Sequence, residues 1–323
     1  MAKYCIGVDL GGSFIKVGAL DQDNQAGRPL ELPTPTDRGG DAVIQQMIDG
    51  ARQLIERDRF DRRDIVGVGI GTPGPLKISE GILIDTPNIP GLKNIPIRDM
   101  IGKALGLPAV LENDANAAGL GEFLCGSGRG MRNMVLLTLG TGVGGGVIVD
   151  GKVLHGGHEI GAELGHIIVN PGGEQCNCGQ KGCLERYASA TFMSLRTQRM
   201  VEQGQASSLK AVLESKGSIN SRDINEARKA GDELAARMWD EAAYYLGLAC
   251  VSIARILDPD QIVLGGGLAN AGADILEPVG RHYQAQHWTI TDIKTRIDLA
   301  RLGNDAGFIG AAGAAWAKFG TPG

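Results

Sequence analysis

The stretch DLGGSFIK, Asp9–Lys16, follows the apolar run YCIGV and precedes VGAL. β-Branched and apolar residues on both sides of a GGS turn predict two short strands joined as a hairpin over Tyr4–Leu20. The same shape returns in MVLLTLGTGVGGGVIV, Met134–Val149, where a strand enters a TG turn and a strand leaves it. Superposing VDLGGS on LTLGTG sets Gly11 on Gly140 and Leu10 on Leu139, which points to a duplication with one glycine-rich hairpin in each half.

The intervening sequence alternates. A helix is expected over Asp41–Arg57, a strand at IVGVGI, a Pro/Gly-rich loop over Thr72–Gly91, and a strand PAVLEND leading into ANAAGLGEF. Beyond it, Ala188–Leu257 reads as mostly helical, with a polar break at Gly217–Ser221. A strand QIVLGGG follows, and NDAGFIGAAGAAWAKF closes the chain as a small-residue helix suited to tight packing on a sheet. The pattern is α/β.

Bulk properties bound the function. The 323 residues suffice for about two domains. Apolar residues at 43% and charged residues at 21% mark a folded globular chain, and 50 glycines without a collagen period imply many tight turns. A net charge of −5 excludes an overall basic, nucleic-acid-binding chain. The first residues carry no apolar segment with a cleavage site, so a cytoplasmic, reducing compartment is expected. The most apolar long stretch, Ala242–Leu257, is too short to span a membrane and contains Arg255; it suits a buried helix.

Nucleotide motifs narrow the chemistry. No G-x-x-x-x-G-K-[ST] occurs. Two stretches match G-x-G-x-x-G, at Gly69–Gly74 and Gly140–Gly145, but neither opens a helix as a dinucleotide fold requires. A glycine-rich turn still binds phosphate when its backbone N–H groups form an anion-binding concavity. Gly11, Gly12 and Ser13 in one turn, and Gly140, Thr141 and Gly142 in the other, are therefore candidate phosphate contacts. Asp9 is placed to hold Mg²⁺ through water, and Lys16 to add positive charge.

CNCGQKGCLE, Cys176–Glu185, gathers three of the six cysteines. Their spacing, C-x-C-x₄-C, is not that of a C-x-x-C oxidoreductase, and three thiolates need a fourth ligand to complete a structural zinc site. Among five histidines, His155, His158 and His166 lie upstream and His282 and His287 are remote in sequence. Cys5, Cys125 and Cys250 each stand alone among apolar or small residues and read as buried side chains.

Taken in order, DLGGSFIK, GIGTPGP, LENDANAA, LGTGVGGG, EIGAELGH, CNCGQKGCLE and LGGGL resemble the motifs of the ROK family of sugar kinases, bacterial glucokinases in particular. The resemblance implies two actin-like (ribonuclease H-like) α/β lobes around a cleft, one formed by residues 1–117 with 306–323 and one by 118–305. It implies transfer of the ATP γ-phosphoryl group to the 6-hydroxyl of a hexose, glucose above all. Asp114 is then the catalytic base, with Asn88, Asn113, Asp114, Glu163, His166 and Glu185 on the sugar. His166 becomes the fourth ligand beside Cys176, Cys178 and Cys183, and Gly265, Gly266 and Gly267 fall at the adenosine. ATP with Mg²⁺ and a structural Zn²⁺ are the implied cofactors, and a homodimer or larger homo-oligomer the implied assembly, with no nucleic-acid or membrane partner. Leu92 stands where many relatives carry an aromatic. Another hexose, an N-acetylated amino sugar, a polyphosphate donor or a non-catalytic sugar sensor are the alternatives.

Read from the residues alone, Asp114 ends a strand and opens a helix, a place suited both to ligands and to helix capping. Glu163 and His166 would share a face on a helical turn, although Gly165 disfavours a regular helix.

Overall fold

The computed structural model describes residues 2–86, 89, 91–286, 288, 290 and 294–320. Its strands are β1 (Tyr4–Leu10), β2 (Phe14–Asp21), β3 (Leu30–Pro33), β4 (Ile65–Thr72), β5 (Leu76–Lys77), β6 (Ile82–Asp85), β7 (Lys93–Ile95), β8 (Ala109–Asn113), β9 (Met134–Leu139), β10 (Val143–Val149), β11 (Lys152–Val153), β12 (Gln261–Gly265) and β13 (Arg296–Leu299). Its helices are α1 (Gly40–Arg57), α2 (Ile97–Leu105), α3 (Asp114–Cys125), α4 (Glu185–Ala188), α5 (Ala190–Glu202), α6 (Leu209–Lys216), α7 (Ser221–Lys229), α8 (Glu233–Leu257), α9 (Ala273–Ala285) and α10 (Ala306–Phe319).

Two five-stranded sheets follow one pattern, β3-β2-β1-β4-β8 and β11-β10-β9-β12-β13. In the first, β2 runs antiparallel to β1 while β4 and β8 run parallel, so the ends of β1, β4 and β8 lie together. The shared order agrees with the duplication read from the paired turns.

The chain divides into two compact units, one comprising Met1–Met134, Gly146–Ala162 and Arg301–Gly323, the other Val135–Gly145 and Glu163–Ala300. The boundary expected at residue 117 would cut through α3. The structure instead keeps residues 118–134, 146–162 and 301–305 with the first unit. Buried Glu122 shows one reason: its Oε2 accepts from Ser127 N and Oγ at 2.9 and 3.0 Å, and its Oε1 from the amides of Arg301 and Leu302 at 2.9 and 2.7 Å.

In the first unit α1 buries Val43, Ile44, Met47, Ile48, Ala51 and Leu54, a stripe at three- and four-residue spacing. Each large member contributes about 1.5–3 kcal/mol by leaving water, so a charge at Met47 would remove the helix from its seat. Leu92 belongs to the same core and is 1% exposed, which explains an aliphatic residue there. Helix α10 packs on α3, β1 and β4. That approach demands missing side chains: a Cβ at Gly69 would lie 1.7 Å from the Ala311 carbonyl oxygen, and one at Gly310 would lie 1.6 Å from that of Ala117.

Within and just beyond the loop expected over Thr72–Gly91, Leu76–Lys77, Ile82–Asp85 and Lys93–Ile95 form a small sheet ordered β5-β6-β7. Leu76 pairs with Leu83 across a turn whose Gly81 has φ +77°. Strands of two to four residues are too short to show alternation in sequence.

In the second unit the expected break between helices is real. Gly217, at φ +75°, ends α6, and Asn220 starts α7 through a reciprocal capping box with Asp223. Helix α8 buries Leu246, Cys250 and Ile253 within the stretch predicted as a buried helix. No helix among the described residues is long and apolar enough to cross a membrane. Cys5 and Cys250 are buried as expected, whereas Cys125 is half-buried, its thiol 3.3 Å from the Asn24 carbonyl oxygen.

Candidate active site

The first unit joins two of the expected acidic groups. Asp9 ends near the C-terminus of β1, and Asp114 opens α3 directly after β8. Burial, and then the charge of Asp114, push the Asp9 carboxyl up to about 7, against a smaller opposing effect of Lys16. Burial also raises Asp114, opposed by hydrogen bonds from backbone amides and the Asn113 side chain. Space for Asp9 comes from Gly307, where a Cβ would lie 2.2 Å from Asp9 Oδ2.

Capping does not account for Asp114. Asn113 is the N-cap of α3, its Oδ1 accepting from the amides of Ala115 and Asn116 at 3.0 and 3.2 Å. Asp114 is the first helical residue, where the helix dipole favours its charged form; its Oδ1 accepts from Ala115 N at 2.9 Å.

Three of the phosphate contacts expected from sequence have partners within the chain. Lys16 Nζ lies 2.9 Å from Asp305 Oδ1 and 3.3 Å from Glu31 Oε2, so its charge is already matched by two carboxylates. The amides of Gly11 and Gly140 donate within their own turns, to the carbonyls of Phe14 at 2.9 Å and Gly142 at 3.0 Å. Gly12, Ser13 and Thr141 are exposed, as phosphate donors must be.

The second unit brings other expected residues together. Gly140, Thr141 and Gly267 line one cavity of about 610 Å³, a size suited to a small-molecule ligand. Gly265 lies in β12, and Gly266 follows at φ +82°, against the backbone of Leu139. Asn220, Arg222, Asn225 and Trp239 share the cavity wall. Sequence reasoning missed them; the capping signature around Asn220 was the one local sign of structure there.

Glu185 Oε2 accepts from Val143 N at 3.0 Å and occupies space that a Cβ at Gly142 would need. The carboxylate expected on the sugar thus braces the glycine turn. Glu163 immediately precedes a single 3₁₀ turn, Leu164–His166, so it and His166 do not sit on a regular helix. Asn88 lies outside the described residues.

His166, Cys176, Cys178 and Cys183 converge, their ligand atoms all within 4.8 Å of one another. Cys176 Sγ is 3.7 Å from His166 Nδ1, and Cys178 Sγ is 3.6 Å from Cys183 Sγ. Those spacings fit the edge of a tetrahedron built from metal–sulfur bonds of 2.3 Å, about 3.8 Å. Hydrogen bonding from the Gln180 side chain leads the causes that lower the Cys178 thiol to about 6, while burial, and then the neighbouring thiols, push Cys183 up to about 12. Since Nδ1 faces the cluster, Nε2 of His166 is the nitrogen left for another partner.

The model of the ROK family matches residues 5–318. A glucokinase from Halalkalibacterium halodurans is 37% identical over 95% of this chain and 93% of its own length. An N-acetylmannosamine kinase from Citrobacter koseri is 29% identical over 95% of this chain and 97% of its own. Among solved structures, a ROK hexokinase from Thermus thermophilus superposes with a TM-score of 0.83 at 33% identity, covering 98% of both chains. A ROK family glucokinase from Streptomyces griseus, in complex with glucose and AMPPNP, gives 0.76 at 31% identity over 96% of this chain and 98% of that one.

Proposed function

The chain belongs to the ROK family, and on that premise we propose that it is an ATP-dependent hexose kinase forming the hexose 6-phosphate, with glucose its favoured acceptor. The observation that carries the reading is that Asp9, near the end of β1, and Asp114, directly after β8, come from strands of one sheet, where the charge of Asp114 helps raise the Asp9 carboxyl.

Phosphoryl transfer needs positioning and charge balance more than covalent chemistry. Asp114 accepts the proton of the attacking hydroxyl as the new P–O bond forms and the bond to the ADP leaving group breaks. Asn113, held by its capping bonds, orients the same hydroxyl. Mg²⁺ arriving with ATP would neutralise phosphate charge, with Asp9 as its protein-side carboxylate. Exposed Gly12, Ser13 and Thr141 are the proposed phosphate contacts, together with the amide of Gly142. The cavity bearing Trp239 and Asn225 is the proposed adenosine site.

Glu163, His166 and Glu185 are proposed as further sugar contacts. The three thiols and His166 Nδ1 form a donor set that fits structural zinc, which would supply a fixed imidazole tautomer. Four protein ligands leave no position for an activated water. A cytoplasmic, homo-oligomeric enzyme is proposed by family.

Glucose is favoured because a glucokinase relative is 37% identical and the S. griseus relative holds glucose. The N-acetylmannosamine kinase relative, at 29%, supports an amino sugar as second reading. A coupled ADP-release assay over glucose, mannose, fructose and N-acetylmannosamine, with ATP or polyphosphate as donor, tests both. Highest kcat/KM with glucose and ATP is expected; preference for N-acetylmannosamine would select the second reading.

A further inference from the structure

Glu112 immediately precedes the Asn113–Asp114 pair and is 3% exposed. A carboxylate buried this deeply is costly unless its oxygens are matched. Oε1 accepts from the amide of Asn113 at 3.0 Å and from Asn116 Nδ2 at 3.1 Å. Oε2 lies 2.8 Å from Nε2 of His155, which reaches it from the segment after β11. One carboxylate therefore clamps the end of β8 to the first turn of α3, and His155 holds the clamp from outside. Asp114 lies between the two clamped residues.

We propose that Glu112 and His155 form a positioning pair that fixes the backbone of Asn113 and Asp114 for phosphoryl transfer. This rests on the kinase reading, because a held base matters only if Asp114 takes a proton. Without His155, Oε2 is left buried and unmatched, and the carboxylate must rotate or take up a proton, loosening its hold on Asn113 and Asn116. A shift of about 1 Å in a reacting group can cost about 10²-fold in rate. The hydrogen bond that His155 donates to Glu112 raises the His155 pKa, against burial, so the imidazolium is favoured. The charged side chains sharing the cavity beside this pair are Arg98 on α2, Lys152 on β11, Lys318 on α10, and Glu159 on the His155 segment.

Full-length His155→Ala, His155→Gln and Glu112→Gln proteins, assayed with ATP and the best sugar, test the pair. Loss of about 10- to 100-fold in kcat is expected for His155→Ala, with KM for ATP within about threefold. His155→Gln, whose amide can donate to Oε2, should recover most of it. In Glu112→Gln the group facing His155 becomes a donor and pairs only with neutral imidazole. Its kcat relative to wild type should therefore rise with pH through the ordinary histidine range, about 6.5.

Wild-type kcat in His155→Ala, no recovery in His155→Gln, or a flat Glu112→Gln ratio would each overturn the pair. Should His155→Ala fail to fold, the Glu112→Gln profile decides alone. A wild type that phosphorylates no sugar overturns the kinase reading and the pair with it; an active wild type beside an unimpaired His155→Ala overturns only the pair.

Discussion

The carboxylates of Asp9 and Asp114 are close enough that the charge of one raises the pKa of the other, although 104 intervening residues separate them in sequence. Two acids held together in this way are unfavourable beyond what Lys16 offsets, a cost that the proposed Mg²⁺ would relieve.

Stability should record that cost. Unfolded Asp9 ionises near 3.8 and folded Asp9 near 7, so between those values the folded state binds the extra proton. This site's contribution to stability therefore falls as pH rises through that window. Asp9→Asn should melt higher than wild type at pH 8 without ligand, show a smaller gap at pH 4, and lose turnover. Thermal scans at the two pH values check the sign.

Gly307 provides the second prediction. A methyl group there would meet Asp9 Oδ2, although alanine is ordinarily better than glycine in a helix by about 1 kcal/mol. Gly307→Ala should gain none of that stability and should raise KM for MgATP by about tenfold, measured by steady-state kinetics.

Much of this was readable from short motifs. The paired glycine turns, the strand-to-helix step at Asp114 and the cysteine cluster are local signals, and each lies where expected. Other features depend on contacts between distant residues. Lys16 meets Asp305 from 289 positions away, and His155 meets Glu112 from 43 away, with no motif to announce either. The β5-β6-β7 sheet escaped because its strands are too short to show a period. Asn113 rather than Asp114 caps α3, a choice between neighbouring good caps that only geometry makes.

Glu122 fixes the chain where the first unit resumes at Arg301. Glu122→Ala would leave four donors without their carboxylate, two of them amides near the start of α10, and should destabilise by about 3 kcal/mol or more. Urea denaturation measures this; a loss under about 1 kcal/mol would contradict the role.

Zinc and sugar should be linked through His166. About one zinc per chain is expected by elemental analysis, and His166→Ala should lose metal and sugar affinity together. A variant retaining full zinc while losing only sugar binding would break the proposed coupling.

The central claim is that Asp114 is the base of a hexose kinase. Steady-state turnover of glucose and ATP by wild type and Asp114→Asn, with glucose binding measured in parallel, tests it most directly. Formation of glucose 6-phosphate and ADP by wild type is predicted, with a loss of about 10²- to 10⁴-fold in kcat for Asp114→Asn while glucose still binds. Undiminished turnover in Asp114→Asn would contradict the account.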